Sequence, residues 1–184
     1  MTIQTAMTQP EIRAERVTLR PLRRSDLGLI EHYAADPRVA RGTRTIPHPL
    51  PPGSISQMID RATREGRSED IWAIDGSAAG IGEVLGLVSL ARLEPIRGRQ
   101  QSEVGYWVAP AFWNAGFAQE ALRALIEANP HADDELFAEV FQDNAVSARV
   151  LTNCGFEYLG DAEAYSVARD TTVPTWTYAL KLKR

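Results

Sequence analysis

The chain has 184 residues, 44 % of them hydrophobic and 24 % charged, with a formal net charge of −4. This is the composition of one water-soluble domain with a full core, and the acidic balance excludes the broad basic face of a duplex nucleic-acid binder. Cys154 is the only cysteine, so an internal disulfide and a four-cysteine zinc site are both excluded.

In chain order, residues 1–14 read as a flexible polar tail and residues 15–184 as a single domain. The tail has no apolar run of leader length and no later stretch reaches membrane-spanning length, so a cytoplasmic protein without a membrane partner is expected. Arg16–Arg20 alternates as a short strand closed by Pro21. Ser25 is placed to cap a helix over Asp26–Ala34, and a further turn is expected over Arg38–Arg41. Thr43–Gly53 carries Pro47, Pro49, Pro51 and Pro52, too many for a central strand. Ile55–Glu65 has helical spacing, with Gly66 after it.

Ile71–Ile74 and Glu83–Ala91 read as strands joined by a glycine-containing turn. Gly80-Ile81-Gly82 within that turn is no dinucleotide loop, because the third glycine of that fingerprint would fall on Leu85. Glu103–Val108 alternates as a strand and Pro110 stops it. After Gly116, Phe117, Ala121, Leu122 and Leu125 recur at helical intervals as far as Asn129-Pro130. Leu136–Phe141 reads as a buried strand, Asn144–Asn153 as a helix, and Phe156–Leu159 and Thr175–Leu180 as the last strands. The cluster His131, Asp133, Asp134 reads as an exposed loop rather than a metal site.

The passage from strand to helix at Trp113–Ala118 is a place where an anion can sit. The first turn of a helix leaves backbone N–H groups unpaired, and the helix dipole adds positive charge there. Small residues at Ala115, Gly116 and Ala118 let a phosphate approach the main chain. Taken alone, the loop reads better as a simple strand-to-helix turn, since a single glycine loop is a weak signal.

Two segments together carry a resemblance. Trp113-x-x-Gly116-x-Ala118, followed by Asn144-x-x-Ser147 and a helix ending in Gly155-Phe156, resembles the GNAT superfamily of acetyl-CoA-dependent N-acetyltransferases. Glu15–Leu22, Glu103–Val108 and Trp113 are similar to the branch containing ribosomal-protein N-terminal acetyltransferases. The resemblance implies an α/β (α+β) GNAT fold, with a mixed central sheet, helices on both faces and a splayed strand pair that admits the cofactor.

It also implies the roles. Acetyl-CoA would be the co-substrate, with no metal. Its phosphates would meet Trp113, Asn114, Ala115, Gly116, Phe117 and Ala118, and its pantetheine arm the backbone near Trp107 and Val108 together with Asn144 and Ser147. Arg149 or Arg123 would reach outer phosphates. Glu103 is the candidate base and Ser147 the candidate proton donor to the leaving thiolate. The residues alone leave open a solvent-facing Glu103 and a packing role for Ser147. His48, Tyr33, His32 and Trp72 are candidates for the acceptor pocket, and Tyr165, Trp176 and Tyr178 for its wall or for a homodimer contact.

The chain departs from the family pattern as well. Trp113 replaces the loop's arginine or glutamine, Asn114-Ala115 replaces a frequent Gly-Lys pair, and Leu151 stands where many relatives carry a tyrosine acid. The implied acceptor is a protein or peptide α-amine. The alternatives are a small amine such as an aminoglycoside or polyamine, or a non-catalytic acyl-CoA-binding protein.

Overall fold

The computed structural model describes residues 9–183. Its elements run β1 (Ile12–Arg13), β2 (Thr18–Pro21), α1 (Leu27–Ala34), α2 (Pro37–Ala40), α3 (Ser54–Thr63), β3 (Glu69–Asp75), β4 (Gly86–Arg92) and β5 (Gln101–Val108). They continue with α4 (Phe117–Ala128), β6 (Glu135–Phe141), α5 (Ala145–Asn153), β7 (Glu157–Ser166) and β8 (Thr171–Lys181). The eight strands form one sheet in the order β1-β2-β3-β4-β5-β6-β8-β7, with every neighbour antiparallel except β5 and β6. No described helix is long and apolar enough to cross a membrane.

Strand alternation sorts the apolar side chains onto two faces, and each face has its own helices. Leu19, Trp72, Ile74, Val88, Leu90 and Val104 join Phe117, Leu122, Leu125 and Leu151 from α4 and α5 in the larger core. Ala73, Val84 and Leu87 face the other way and pack under Ile30, Ile55 and Ile59 from α1 and α3. Leu151 is fully buried in the larger core, where its aliphatic side chain packs and has no proton to give.

Two expectations at the front of the chain are corrected. Part of the expected tail is docked rather than loose. Ile12 is buried on β1, Trp72 Nε1 donates to the Pro10 carbonyl at 2.8 Å, and Gln9 Nε2 donates to the Ile71 carbonyl at 2.8 Å. The rest of that tail, residues 1–8, lies outside the described residues. Ser25 does not cap α1, because it sits inside a 3-10 turn that leads into the helix. There the Asp26 carboxylate accepts the Arg23 N–H at 2.8 Å and closes the turn.

Asp26 does this while paired with Arg20. The buried guanidinium donates to both oxygens of Asp26 at 2.9 Å and to Asp75 at 2.6 Å, locking α1 onto β2 and β3. Removing one member of such a buried group strands the others. Arg20→Met should lower the unfolding free energy by about 3–5 kcal/mol in a denaturant titration.

A second buried cluster overturns the reading of His131 and its neighbours as an exposed loop. His131, Asp133 and Asp134 are all less than a tenth exposed. His131 Nε2 lies 2.7 Å from Asp70 Oδ2, and its Nδ1 lies 2.9 Å from the Ser102 hydroxyl. Asp133 Oδ2 is buried there without a hydrogen-bond partner, and burial pushes its carboxyl above the usual range. A raised folded-state value gives stability that is complete below the unfolded carboxylate range and is lost as pH rises through the folded value. The unfolding free energy of Asp133→Asn should therefore gain on the parent as pH rises from 4 toward 7. Chemical denaturation across that pH series would show it. Among the described residues, no group of three or more His, Cys, Asp or Glu is arranged to hold a metal ion.

Candidate active site

The parallel pair β5 and β6 stays in register only from Gln101 opposite Glu135 to Glu103 opposite Phe137. Beyond Glu103 the strands part, while β5 remains paired with β4 as far as Val108. The main-chain alternation decides what faces the gap. Ala109 N donates to Leu85 O at 2.8 Å and Leu93 N to Gln101 O at 3.0 Å, so the odd-numbered residues of β5 spend their polar groups on β4. The backbone groups of Tyr106 and Val108 consequently point into the splay. Trp107, whose main chain was expected to face the gap, pairs with Leu87 instead.

Trp113 opens the loop that leads into α4. Its indole Nε1 donates to the Val108 carbonyl at 2.6 Å, and the Arg38 guanidinium lies 5.7 Å from its ring centroid. Asn114 and Gly116 both have left-handed backbone, with φ of 59° and 79°. That alternation turns successive amides toward one side, and the first-turn N–H groups of α4 continue the array. Arg16 holds the end of α4 in place. Its backbone N donates to Glu120 Oε1 at 2.6 Å, its Nε donates to Oε2 at 2.7 Å, and its guanidinium lies over the Phe117 ring.

This loop opens on a cleft of about 580 Å³ that also takes in Tyr106, Trp107, Val108, Asn144, Ser147 and Arg149. Ala115 is the one loop residue of the expected set that does not line it. Asn144 caps α5, accepting the Ser147 N–H at 3.2 Å with its amide oxygen. Its Nδ2 faces Gly42 across the cleft, 3.5 Å from where a Cβ on that glycine would stand. Arg149 is exposed and lines the cleft, whereas Arg123 lies elsewhere and donates to the Asn153 carbonyl at 3.1 Å. The cradle suits acetyl-CoA: amides at the loop for phosphates, a strand edge at Tyr106 and the Val108 N–H for an amide-bearing arm, the Val108 carbonyl being taken by Trp113, and Asn144 beside it.

A second cleft, of about 410 Å³, lies under the Gly42–Pro47 loop and α3. It shares Gly42, Thr43, Tyr106, Trp107 and Ser147 with the first, so the two meet at the splay. Glu103 and Glu139 stand on the same face of the parted strands, and Arg44 bridges them, with 3.0 Å from its Nη1 to Glu139 Oε2. Thr175 Oγ1 donates to the other Glu139 oxygen at 2.5 Å.

At the junction, Ser147 Oγ donates to Tyr106 Oη at 2.9 Å and Tyr106 Oη donates to the Ser147 carbonyl at 2.7 Å. Burial pushes the Tyr106 phenol far above its ordinary value, so it stays protonated. Tyr106 was missed as a site residue. Its only sequence signal was an inward position on an alternating strand, which any core aromatic shares.

Other expected contacts fall elsewhere. Trp72 and Tyr178 are core residues, His48, His32 and Tyr165 are exposed, and none of the five lines either cleft. Tyr33 packs edge-on against Phe112 and Trp176 packs against the larger core, and neither lines a cleft. Burial pushes the Cys154 thiol up, which suits a packing residue rather than a nucleophile.

A family model described as an acetyltransferase (GNAT) domain matches residues 16–157. A relative in Bacillus licheniformis, the uncharacterized N-acetyltransferase p20, is 26 % identical over 174 residues, covering 92 % of this chain and 94 % of its own. The ribosomal L7/L12 alpha-N-protein acetyltransferase RimL, solved with coenzyme A, superposes with a TM-score of 0.76 at 16 % identity, over 94 % of this chain and 98 % of its own. Spermidine N-acetyltransferase from Vibrio cholerae, solved with CoA and spermine, gives 0.72 at 17 % identity, over 88 % and 94 %. With the parted strands, the amide-lined loop and the family match over most of its length, the chain belongs to the GNAT family and is an acetyl-CoA-dependent N-acetyltransferase.

Proposed function

We propose that the acceptor is the α-amine at the N-terminus of a protein or peptide. The observation that carries this is the lining of the second cleft. Ile46, Leu50, Ile55, Met58 and Ile71 make it largely apolar, while three carboxylates (Glu69, Glu103, Glu139) against two guanidiniums (Arg44, Arg61) leave one net negative charge. Such a site suits a single ammonium carried on a short uncharged segment better than a polycation.

Acetyl-CoA supplies the thioester carbonyl that the amine attacks. Glu103 takes the proton that the ammonium must lose, because a protonated amine has no lone pair to offer. Glu103 can do so only by exchanging Arg44 for the incoming ammonium, since a carboxylate held by a guanidinium is already satisfied. Ser147 gives its hydroxyl proton to the departing sulfur and takes back the second proton that the nitrogen sheds as the amide forms. Tyr106 is a positioning residue that holds this hydroxyl at the junction. Asn144 and the main chain at Tyr106 and Val108 orient the arm, and the amides from Asn114 to Ala118 hold its phosphates.

Thiol release measured with alanyl- and seryl-peptides, spermidine and an aminoglycoside tests the proposal. Turnover of the peptides with kcat/KM above that of both polycations is expected. Preference for spermidine would overturn it in favour of a small-amine acetyltransferase.

A further inference from the structure

We propose that Arg44 is the specificity-determining residue that limits the acceptor to an amine bearing one positive charge. The inference rests on the α-amine reading and gives it a physical basis.

Glu103 and Glu139 lie on opposite sides of the parted strands but on one face, so without a cation between them they would form a doubly negative floor. The Arg44 side chain fills that gap. Its anchoring is asymmetric. Glu139 has both oxygens engaged inside the protein, one by Arg44 Nη1 at 3.0 Å and one by Thr175 Oγ1 at 2.5 Å. Glu103 meets the other end of the guanidinium, Nη2, and has a side chain 26 % exposed toward the cleft, against 18 % for Glu139.

An arriving ammonium therefore replaces Arg44 at Glu103, while Arg44 stays on Glu139. The loop itself need not move, because the Arg44 carbonyl accepts the Val167 N–H at 3.0 Å and Thr43 Oγ1 donates to the Ala40 carbonyl at 3.0 Å. With Arg44 in place, this floor leaves one carboxylate for one ammonium, and the cleft's third carboxylate, Glu69, is balanced in charge by Arg61. The second charge of a diamine would enter the same cleft with Glu139 already neutralised and Glu69 offset by Arg61, and would lose water without an excess negative charge to meet.

A series of charges on this floor separates the idea from a purely structural tie. Binding of butylamine and of 1,4-diaminobutane, equal in carbon number but carrying one and two charges, is measured by calorimetry on the CoA-saturated protein. Glu139→Gln, the parent and Arg44→Gln make the floor stepwise more negative. The ratio of diamine to monoamine affinity should rise along that order, by about fivefold to tenfold at the Arg44→Gln step in low salt. Arg44→Lys should restore the parent ratio, and high salt should compress all the ratios.

A ratio that is the same in all variants, or that moves in one direction for both Gln substitutions, overturns the proposal. So does undetectable diamine binding by Arg44→Gln that unfolds at the parent temperature. If Arg44→Gln does not fold, the fall expected for Glu139→Gln decides the matter. Failure of the α-amine reading shows separately, as absence of thiol release from alanyl peptides by the parent.

Discussion

Gly116→Val is expected to weaken acetyl-CoA binding by about tenfold to a hundredfold. Gly116 has φ of 79°, where an L side chain costs about 1–2 kcal/mol and a β-branched one more. Its Cβ would stand 3.5 Å from the Arg16 guanidinium, an ordinary contact, so the cost lies in the backbone. The loop can relieve the strain only by turning φ negative, and that swings the following amides away from the phosphate position. Each tenfold in affinity is about 1.4 kcal/mol, so the strain alone accounts for the lower figure and the dispersed amides for the rest. Gly98→Val is the matched control. Gly98 has φ of 75°, nothing within 4 Å of its Cβ position, and no place in the cofactor cleft. Both variants should lose stability in thermal melts, but calorimetric titration with acetyl-CoA should weaken for Gly116→Val alone. Equal affinities in the two would remove the loop from the phosphate site.

What could be read from the residues was what is local in the chain. The switch from alternation at Val104, Tyr106 and Val108 to helical spacing after Gly116 is a property of neighbours, and so is the helix that begins at Asn144. Both stand where the spacing put them. The elements that escaped depend on distant partners. β1 is two residues long and exists because Ile12 pairs with Leu19 while Trp72 and Ile71 bind the chain before it. β7 and β8 run well past their apolar ends because the hairpin pairs polar residues such as Asp161 and Glu163 across to Trp176 and Pro174.

The same distinction governs the site. The loop amides were legible because their chemistry belongs to a helix start. Arg44 was not, because a loop arginine looks solvated until Glu103 and Glu139 arrive from strands 59 and 95 positions away. His131 looked solvated for the same reason, since only the fold brings Asp70 and Ser102 against it.

Glu103→Gln is expected to cut kcat/KM by about a hundredfold to ten-thousandfold, the range for loss of a general base, with acetyl-CoA affinity unchanged. The amide keeps the size of the carboxylate and can still touch Arg44, but it cannot take a proton. Glu103 does not line the cofactor cleft, so binding there should not register the change. A carboxylate that merely held Arg44 would behave differently. Its loss would free the guanidinium to rest on Glu139 alone, raising KM for the acceptor and leaving kcat near the parent value. Single-turnover measurement makes the separation sharper, because it reads the chemical step with the cofactor already bound. A proton acceptor predicts a slow step that recovers as pH rises and more of the amine arrives already neutral. A structural tie predicts a normal step at every pH. A protein that only binds acyl-CoA predicts no step at all, in the parent or the variant, and the parent's own thiol release decides that case before any substitution is made.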